Sequence, residues 1–162
     1  MIGYDQAHEL FFYKEGNLYW KISPRNNVKI GSIAGAKRGY GTHIYKEVMI
    51  NGRHELVHRI VFLMHHGYLP MYIDHKDGDH LNNRIENLRA ATASQNRMNS
   101  AVTSRNTTGV KGVCKGKRDG IWTAQICVKG KRMHLGTYTS IDEAAKAYKE
   151  AAIKYFGEFA RQ

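Results

Sequence analysis

Residues 72–99 constrain the fold more than any other stretch of this chain. The run opens Tyr72-Ile-Asp-His-Lys-Asp-Gly-Asp-His and continues through Leu81-Asn-Asn-Arg-Ile-Glu-Asn-Leu-Arg89 to Asn99. Tyr72–Lys76 suits a strand, Asp77-Gly78 a tight turn, 82–87 a polar loop, and Leu88–Ala91 a second strand. Thr92-Ala-Ser-Gln95 then has capping-box spacing, with Thr92 as N-cap and Gln95 reaching back, so a short helix begins there. Strand, loop, strand and helix make a compact ββα unit.

The same segment concentrates chemistry. Asp74 offers a hard oxygen ligand, His75 can be neutral near pH 7 and accept a proton from water, and Asn96 can add an amide oxygen. Asn87 carries a donor and an acceptor, enough to orient an imidazole or touch a phosphate. Such a set suits phosphodiester hydrolysis with a divalent ion. Neighbours on a regular strand face opposite ways, so Asp74 and His75 cannot both aim squarely at one helix. Asp77-Gly78-Asp79 lacks EF-hand spacing and the closing Glu, and reads as turn chemistry. Asn82 and Asn83 are expected to tie down loop backbone.

Charge points to the partner. The 25 Lys+Arg and 14 Asp+Glu give a net +11, and residues 101–162 carry 12 against 5, or +7 of it. A surplus of this size on a small chain is the footprint of a polyanion, most often nucleic acid. Only Cys114 and Cys127 occur and no CxxC pair exists, which argues against a disulfide framework or a zinc ribbon and for a cytoplasmic setting. The N-terminus lacks the features of a signal peptide, and Ile60–Met64 is far too short an apolar run to span a bilayer.

Upstream, 10–56 read as short strands separated by turns, with Asn51-Gly52 between alternating apolar residues as a type I′ hairpin signal. Arg25, Lys29, Lys37 and Arg38 there are expected phosphate contacts. Val57, Ile60, Val61 and Met64 then fall on one helical face, ended by Gly67 and Pro70. The histidines of this helix, His58, His65 and His66, are expected to pack or face solvent. Downstream, 99–108 look like a linker. Strands follow at Val110–Lys115, Trp122–Val128 and Arg132–Leu135. A helix capped by Ser140 and Glu143 comes next, with Ala144, Ala147, Tyr148, Ala151 and Tyr155 as its apolar stripe. Alternation puts Trp122, Ala124, Ile126 and Val128 beneath that helix. It turns Thr123, Gln125, Cys127, Arg132 and His134 outward, a face that could enter a major groove.

From His58 through Asn99, with the core Asp-His-Lys-Asp-Gly-Asp-x-Leu-Asn-Asn-Arg-Ile-Glu-Asn-Leu-Arg, the chain closely resembles HNH endonucleases of phage and homing type. The resemblance implies a ββα-metal fold, with His75 as general base and Asp74 and Asn96 as ligands to the divalent metal. It makes Asn87 the middle asparagine, orienting His75. Residues 108–161 resemble an AP2 DNA-binding domain, through Val110-Lys-Gly-Val113, Trp122-Thr-Ala-Gln-Ile126, Lys131-Arg-Met-His-Leu-Gly-Thr-Tyr138 and Glu143-Ala-Ala-Lys-Ala-Tyr148. That implies groove contacts from Lys111, Gln125, Arg132 and His134. Cys114 and His134 stand where plant relatives often have arginine and tryptophan, so base preference does not carry over. Lys115, Lys117 and Arg118, in the first turn, are assigned to phosphate.

The expectation is an α+β chain in two parts. A nuclease domain spans 1–98, with a β-rich extension over 1–56 and a helix plus ββα core over 57–98. A linker, 99–107, leads to an AP2-like domain over 108–162. The cofactor expected is a divalent metal ion, Mg2+ first and Mn2+ as its substitute. The partner expected is double-stranded DNA, with a monomeric chain and no membrane. The rival class is a non-catalytic DNA-binding regulator, and an RNA-processing nuclease is a third reading.

Overall fold

The computed structural model describes residues 2–25, 27–41, 43–103 and 105–161, and groups the chain into two compact units, Met1–Ala93 and Ser94–Gln162. The first contains helix α1 (Tyr4–Leu10), strands β1 (Phe11–Lys14), β2 (Asn17–Trp20), β3 (Ile33–Ala34), β4 (Ala36–Tyr40), β5 (His43–Ile50) and β6 (Arg53–Leu56), then helix α2 (Val57–His66). Strand β7 (Tyr72–His75), a 3-10 turn at Ile85–Asn87 and strand β8 (Leu88–Ala91) complete it. Antiparallel pairing gives two three-stranded sheets, β1-β2-β3 and β4-β5-β6, and a separate β7-β8 hairpin.

Helix α2 is the centre of this unit. Val57, Ile60, Val61 and Met64 are buried as their spacing predicts, and Phe62 and Leu63 are buried with them. Phe11, Leu18 and Trp20 from the first sheet join this cluster, as do Ile73 and Leu88 from the hairpin. Each fully buried large side chain contributes roughly 1.5–3 kcal/mol. A two-stranded hairpin is marginal alone, so β7 and β8 depend on this core. Gly67 ends α2 in the left-handed region at φ 71, its N–H bonded to the Leu63 carbonyl. Helix α1 carries no expected sequence signal: Gly3 is its N-cap and makes no side-chain cap, and the fully buried Ala7 belongs to the core cluster that includes α2.

Helix α3 (Ala93–Asn99) straddles the unit boundary, and nearly all of it groups with the second unit. There, strands β9 (Val113–Lys115), β10 (Trp122–Val128) and β11 (Lys131–Tyr138) form an antiparallel sheet with β10 in the middle. Helix α4 (Ile141–Phe156) packs on it, and Ser140 caps the helix by accepting from the Asp142 N–H at 3.2 Å. Ala124 and Ile126 are buried beneath α4, as alternation requires. On α4 the buried stripe runs through Ala144, Ala151 and Ala152, with Phe156 packed beside them, while Tyr155 is 38% exposed. A stripe with an average step of 3.6 residues drifts, and here it favours 152 and 156 over 155.

Gly112 is the tightest point of this unit. A Cβ there would lie 2.1 Å from the Tyr148 ring and 2.6 Å from the Gln125 carbonyl, on a backbone at φ +73. The close approach lets Gly112 accept a hydrogen bond from the Gln125 N–H at 2.8 Å.

Candidate active site and nucleic-acid interface

The β7-β8 register is regular: Asp74 faces Arg89 and His75 faces Leu88. Register partners project to the same side of a sheet, so Asp74 and Arg89 meet while His75 leaves by the other face. Both residues are buried, at 5% and 4% exposure. The Asp74 Oδ2 accepts from Arg89 Nε at 2.8 Å and Nη2 at 2.6 Å, a charge-assisted pair that fixes the carboxylate. Arg89 closes the motif that carries the HNH resemblance, and its pairing with Asp74 is visible only once the register is known.

On the other face, His75 Nε2 lies 3.1 Å from Asn83 Oδ1. An amide oxygen only accepts, so in this contact the imidazole donates through Nε2. Asn83 is 1% exposed, and its Nδ2 is buried without a hydrogen-bond partner among the described residues. Such a desolvated amide is uncommon and is tolerated where a site demands it. The expectation that Asn83 only secures loop backbone thus misses its contact with the imidazole.

Asn87, read from the resemblance as the group that orients His75, is bonded instead to the loop. Its Nδ2 donates to Asp77 Oδ1 at 3.0 Å and to the Asn82 carbonyl at 2.8 Å, and its Oδ1 accepts from the Asp77 N–H at 3.1 Å. Asp77 also accepts from Asn82 Nδ2 at 2.6 Å and the Asp79 N–H at 2.8 Å. Burial works to raise the Asp77 pKa, but these hydrogen bonds and the nearby His75 outweigh it and leave it below the usual value. The Asp77-Gly-Asp79 turn is scaffold, as its composition suggests.

Three more histidines and a tyrosine surround His75. The His58 ring stands at 72° to it with centroids 5.0 Å apart, and His80 at 75° and 5.5 Å. His80 in turn meets His43 at 4.7 Å and stacks on Tyr45 at 4.8 Å. His43 and Tyr45 lie on β5, so the second sheet forms one wall of the site. Burial, then the charges of His75, Arg59 and His80, push the His58 pKa down to about 3. Burial also lowers His75, opposed by the Asn83 hydrogen bond and by Asp77, Asp74 and Asp79. The expectation that His58 merely packs is right about its burial and silent about what it packs against. Arg38 on β4 lies 3.9 Å from Glu47 and 3.3 Å from His54.

Asn96 lies on α3, five residues past the end of β8 and three past the start of that helix, within the stretch grouped with the second unit. A hard divalent ion needs few protein ligands and keeps water and phosphate oxygens, so a buried carboxylate such as Asp74 fits its chemistry. Among the described residues no group of three or more His, Cys, Asp or Glu converges to hold an ion.

In the second unit, Gln125 pairs with His134 and Cys127 with Arg132 across β10 and β11, so these four share the outward face. A bulge after Ala124 keeps that alignment. Arg132 and His134 are exposed, and so are Lys115, Lys117 and Arg118 in and before the β9-β10 turn. Lys111 is different: it is half-buried, and its ammonium donates to the carbonyls of Arg97, Met98 and Ser100. Cys114 and Cys127 are free thiols. No helix among the described residues is long and apolar enough to cross a membrane.

Comparison with known proteins agrees with both halves of this geometry. An HNH endonuclease family profile matches residues 55–98, and an AP2 domain profile matches 108–158. Protein 3.8 of Escherichia phage T7 is 32% identical over 90 residues, covering 56% of this chain and 74% of that protein. An uncharacterized HNH endonuclease of Acanthamoeba polyphaga mimivirus is 34% identical over 107 residues, 64% of this chain and 54% of that protein. An AP2/ERF and B3 domain-containing transcription factor of Arabidopsis thaliana is 52% identical over 44 residues, 27% of this chain and 13% of the factor. With an HNH profile over the ββα segment, an AP2 profile over the basic sheet and relatives from phage and giant virus, the chain belongs to the phage-type HNH endonucleases that carry an AP2-like DNA-binding domain.

Proposed function

We propose that this chain is a metal-dependent DNA endonuclease of homing type, with its cut directed by the AP2-like sheet. The observation that carries the reading is the His75 imidazole, buried, desolvated and held through Nε2 by Asn83. His75 takes a proton from a water molecule, whose oxygen attacks the scissile phosphorus. The P–O3′ bond breaks, leaving a 5′-phosphate, and the departing 3′-oxygen takes a proton from solvent to become the 3′-hydroxyl. Asp74, locked by Arg89, and Asn96 are the residues that would hold the divalent ion, Mg2+ or Mn2+. Such an ion, when bound, would supply stabilisation of the negative charge that builds up in the reaction. Asn83 orients His75, while Asn87 braces the loop that delivers Asn83.

Gln125, Arg132 and His134 contact base edges and Lys115, Lys117 and Arg118 contact phosphates, which divides specificity from positioning. The chain acts as a monomer on double-stranded DNA inside the cell that holds its target. The second reading is a DNA-binding regulator that keeps the HNH scaffold, favoured by the intact reading face. His75→Ala separates the two. Cleavage of supercoiled plasmid with Mg2+ should fall by roughly 10²–10⁴-fold while DNA binding is retained. Cleavage that survives His75→Ala sinks the base assignment, and an unmutated chain that cuts neither DNA nor RNA with any divalent metal favours the regulator.

A further inference from the structure

The last carbonyls of a helix have no partner within the helix, and in a short helix their satisfaction decides whether the helix persists. In α3 every carbonyl from Arg97 to Ser100 is taken by a group of the second unit or of its own end. Lys111 Nζ donates to the Arg97 carbonyl at 3.2 Å and to those of Met98 and Ser100 at 2.7 Å each. Arg161 Nη1 donates to the Asn99 carbonyl at 3.1 Å, and Ser100 Oγ to that of Arg97 at 2.7 Å. The Asn99 side chain is buried at 4% exposure. Two cations therefore sit at the negative end of the α3 dipole, where charge of that sign is favoured.

Both cations are rooted in the reading unit. Lys111 immediately precedes Gly112, whose carbonyl is bonded to the β10 Gln125 N–H, and Arg161 follows the 3-10 turn Gly157–Phe159 that continues α4. An ammonium has three donors, and all three of Lys111's are accounted for by these carbonyls. We propose that Lys111 and Arg161 are positioning residues that fasten α3, and with it Asn96, to the AP2-like module, so that the DNA-reading unit sets the orientation of one metal ligand. Lys111 then does not act as the groove contact that its place in the AP2 motif implies. The inference rests on the reading of Asn96 as a ligand. Its half-buried setting agrees: burial, then Arg161, lower the Lys111 pKa to about 8.

The test uses the full chain carrying Lys111→Met, Lys111→Arg, Arg161→Gln or Asn96→Ala. Mn2+ binding is followed by electron paramagnetic resonance, α3 by amide hydrogen exchange, and DNA affinity against salt. Lys111→Met should weaken Mn2+ binding about tenfold, the scale expected for loss of a group that supports a ligand. It should speed α3 exchange by about tenfold, leaving the salt slope of DNA binding unchanged. Lys111→Arg should recover part of both effects. Arg161→Gln should move both readouts the same way by about threefold, and it decides the matter if Lys111→Met does not fold. Unchanged Mn2+ affinity and α3 exchange, with a salt slope reduced by about one, would make Lys111 a phosphate contact and overturn the inference. If Asn96→Ala leaves Mn2+ affinity unchanged, the ligand reading fails and the inference with it. If Asn96→Ala weakens binding and Lys111→Met and Arg161→Gln do not, only the inference fails.

Discussion

The two units present their functional residues in opposite ways. Around His75 the groups are fixed, Asp74 by Arg89, His75 by Asn83 and Asn87 by Asp77, and Asp74 and His75 are buried. On the β10-β11 face, Arg132 and His134 are exposed, and His134 Nε2 lies 3.5 Å from Thr137 Oγ1. A proton acceptor must be desolvated and correctly oriented before substrate arrives, because reorganisation during reaction costs rate. A groove-reading cation gains from staying solvated and mobile until DNA replaces its water. The difference teaches that the first unit should fail through geometry and the second through affinity.

The strongest way to break the comparison is to disturb the reading unit's packing. Gly112→Ala forces a Cβ against Tyr148 and the Gln125 carbonyl on a left-handed backbone. The cost should be about 3 kcal/mol or more in the stability of the second unit, measured by thermal melting with probes in each unit. A melt that leaves the second unit unmoved would mean the sheet and α4 are not held through this contact.

Acid should expose the first unit's dependence on buried neutral imidazoles. The folded pKa of His58 is lowered to about 3, below its usual 6.5. The stabilisation is therefore fully present above pH 6.5 and is lost as pH falls from there toward 3, because the unfolded chain takes up a proton that the folded chain refuses. The loss should be about 2 kcal/mol at pH 5, read by chemical denaturation against pH. His58→Gln should flatten that dependence, and an unchanged pH slope in this variant would refute the assignment.

A paired substitution sharpens the contrast with a smaller effect. Asn83→Ala should lower the cleavage rate at saturating DNA roughly tenfold with affinity retained, since it frees the imidazole's orientation. Arg132→Ala should weaken DNA binding by a similar factor and leave the saturated rate intact. If both variants shift the same kinetic constant, the division between geometry and affinity is wrong.

Local pattern made much of this legible. Trp122–Val128 and Leu88–Ala91 are strands over the expected residues, α2 ends at Gly67, and α4 begins at its Ser140 cap. Period and turn chemistry act over a few residues, so one sequence suffices to show them. The resemblance marked His75 and Asp74, both of which lie buried and held on β7. Which asparagine bonds His75 Nε2 is not legible in the sequence for a physical reason. Asn82, Asn83 and Asn87 have the same chemistry, and the 3-10 turn at Ile85–Asn87 helps decide which side chain reaches the imidazole. Helix α1 escaped notice because it has no side-chain cap and depends on burying Ala7 in the shared core.

By itself the sequence determined the kinds of element, the strongly basic balance, and the residue types available for hydrolysis and for reading DNA. These follow from local propensity and from charge, which need no knowledge of distant neighbours. Only the tertiary structure decided that Asn83 rather than Asn87 holds His75, that Arg89 locks Asp74, that His58 backs the imidazole, and that Lys111 grips the end of α3. Each of these contacts joins residues of similar or common type across turns, strands or elements. Their selection depends on register and packing, which no short stretch of chain encodes alone.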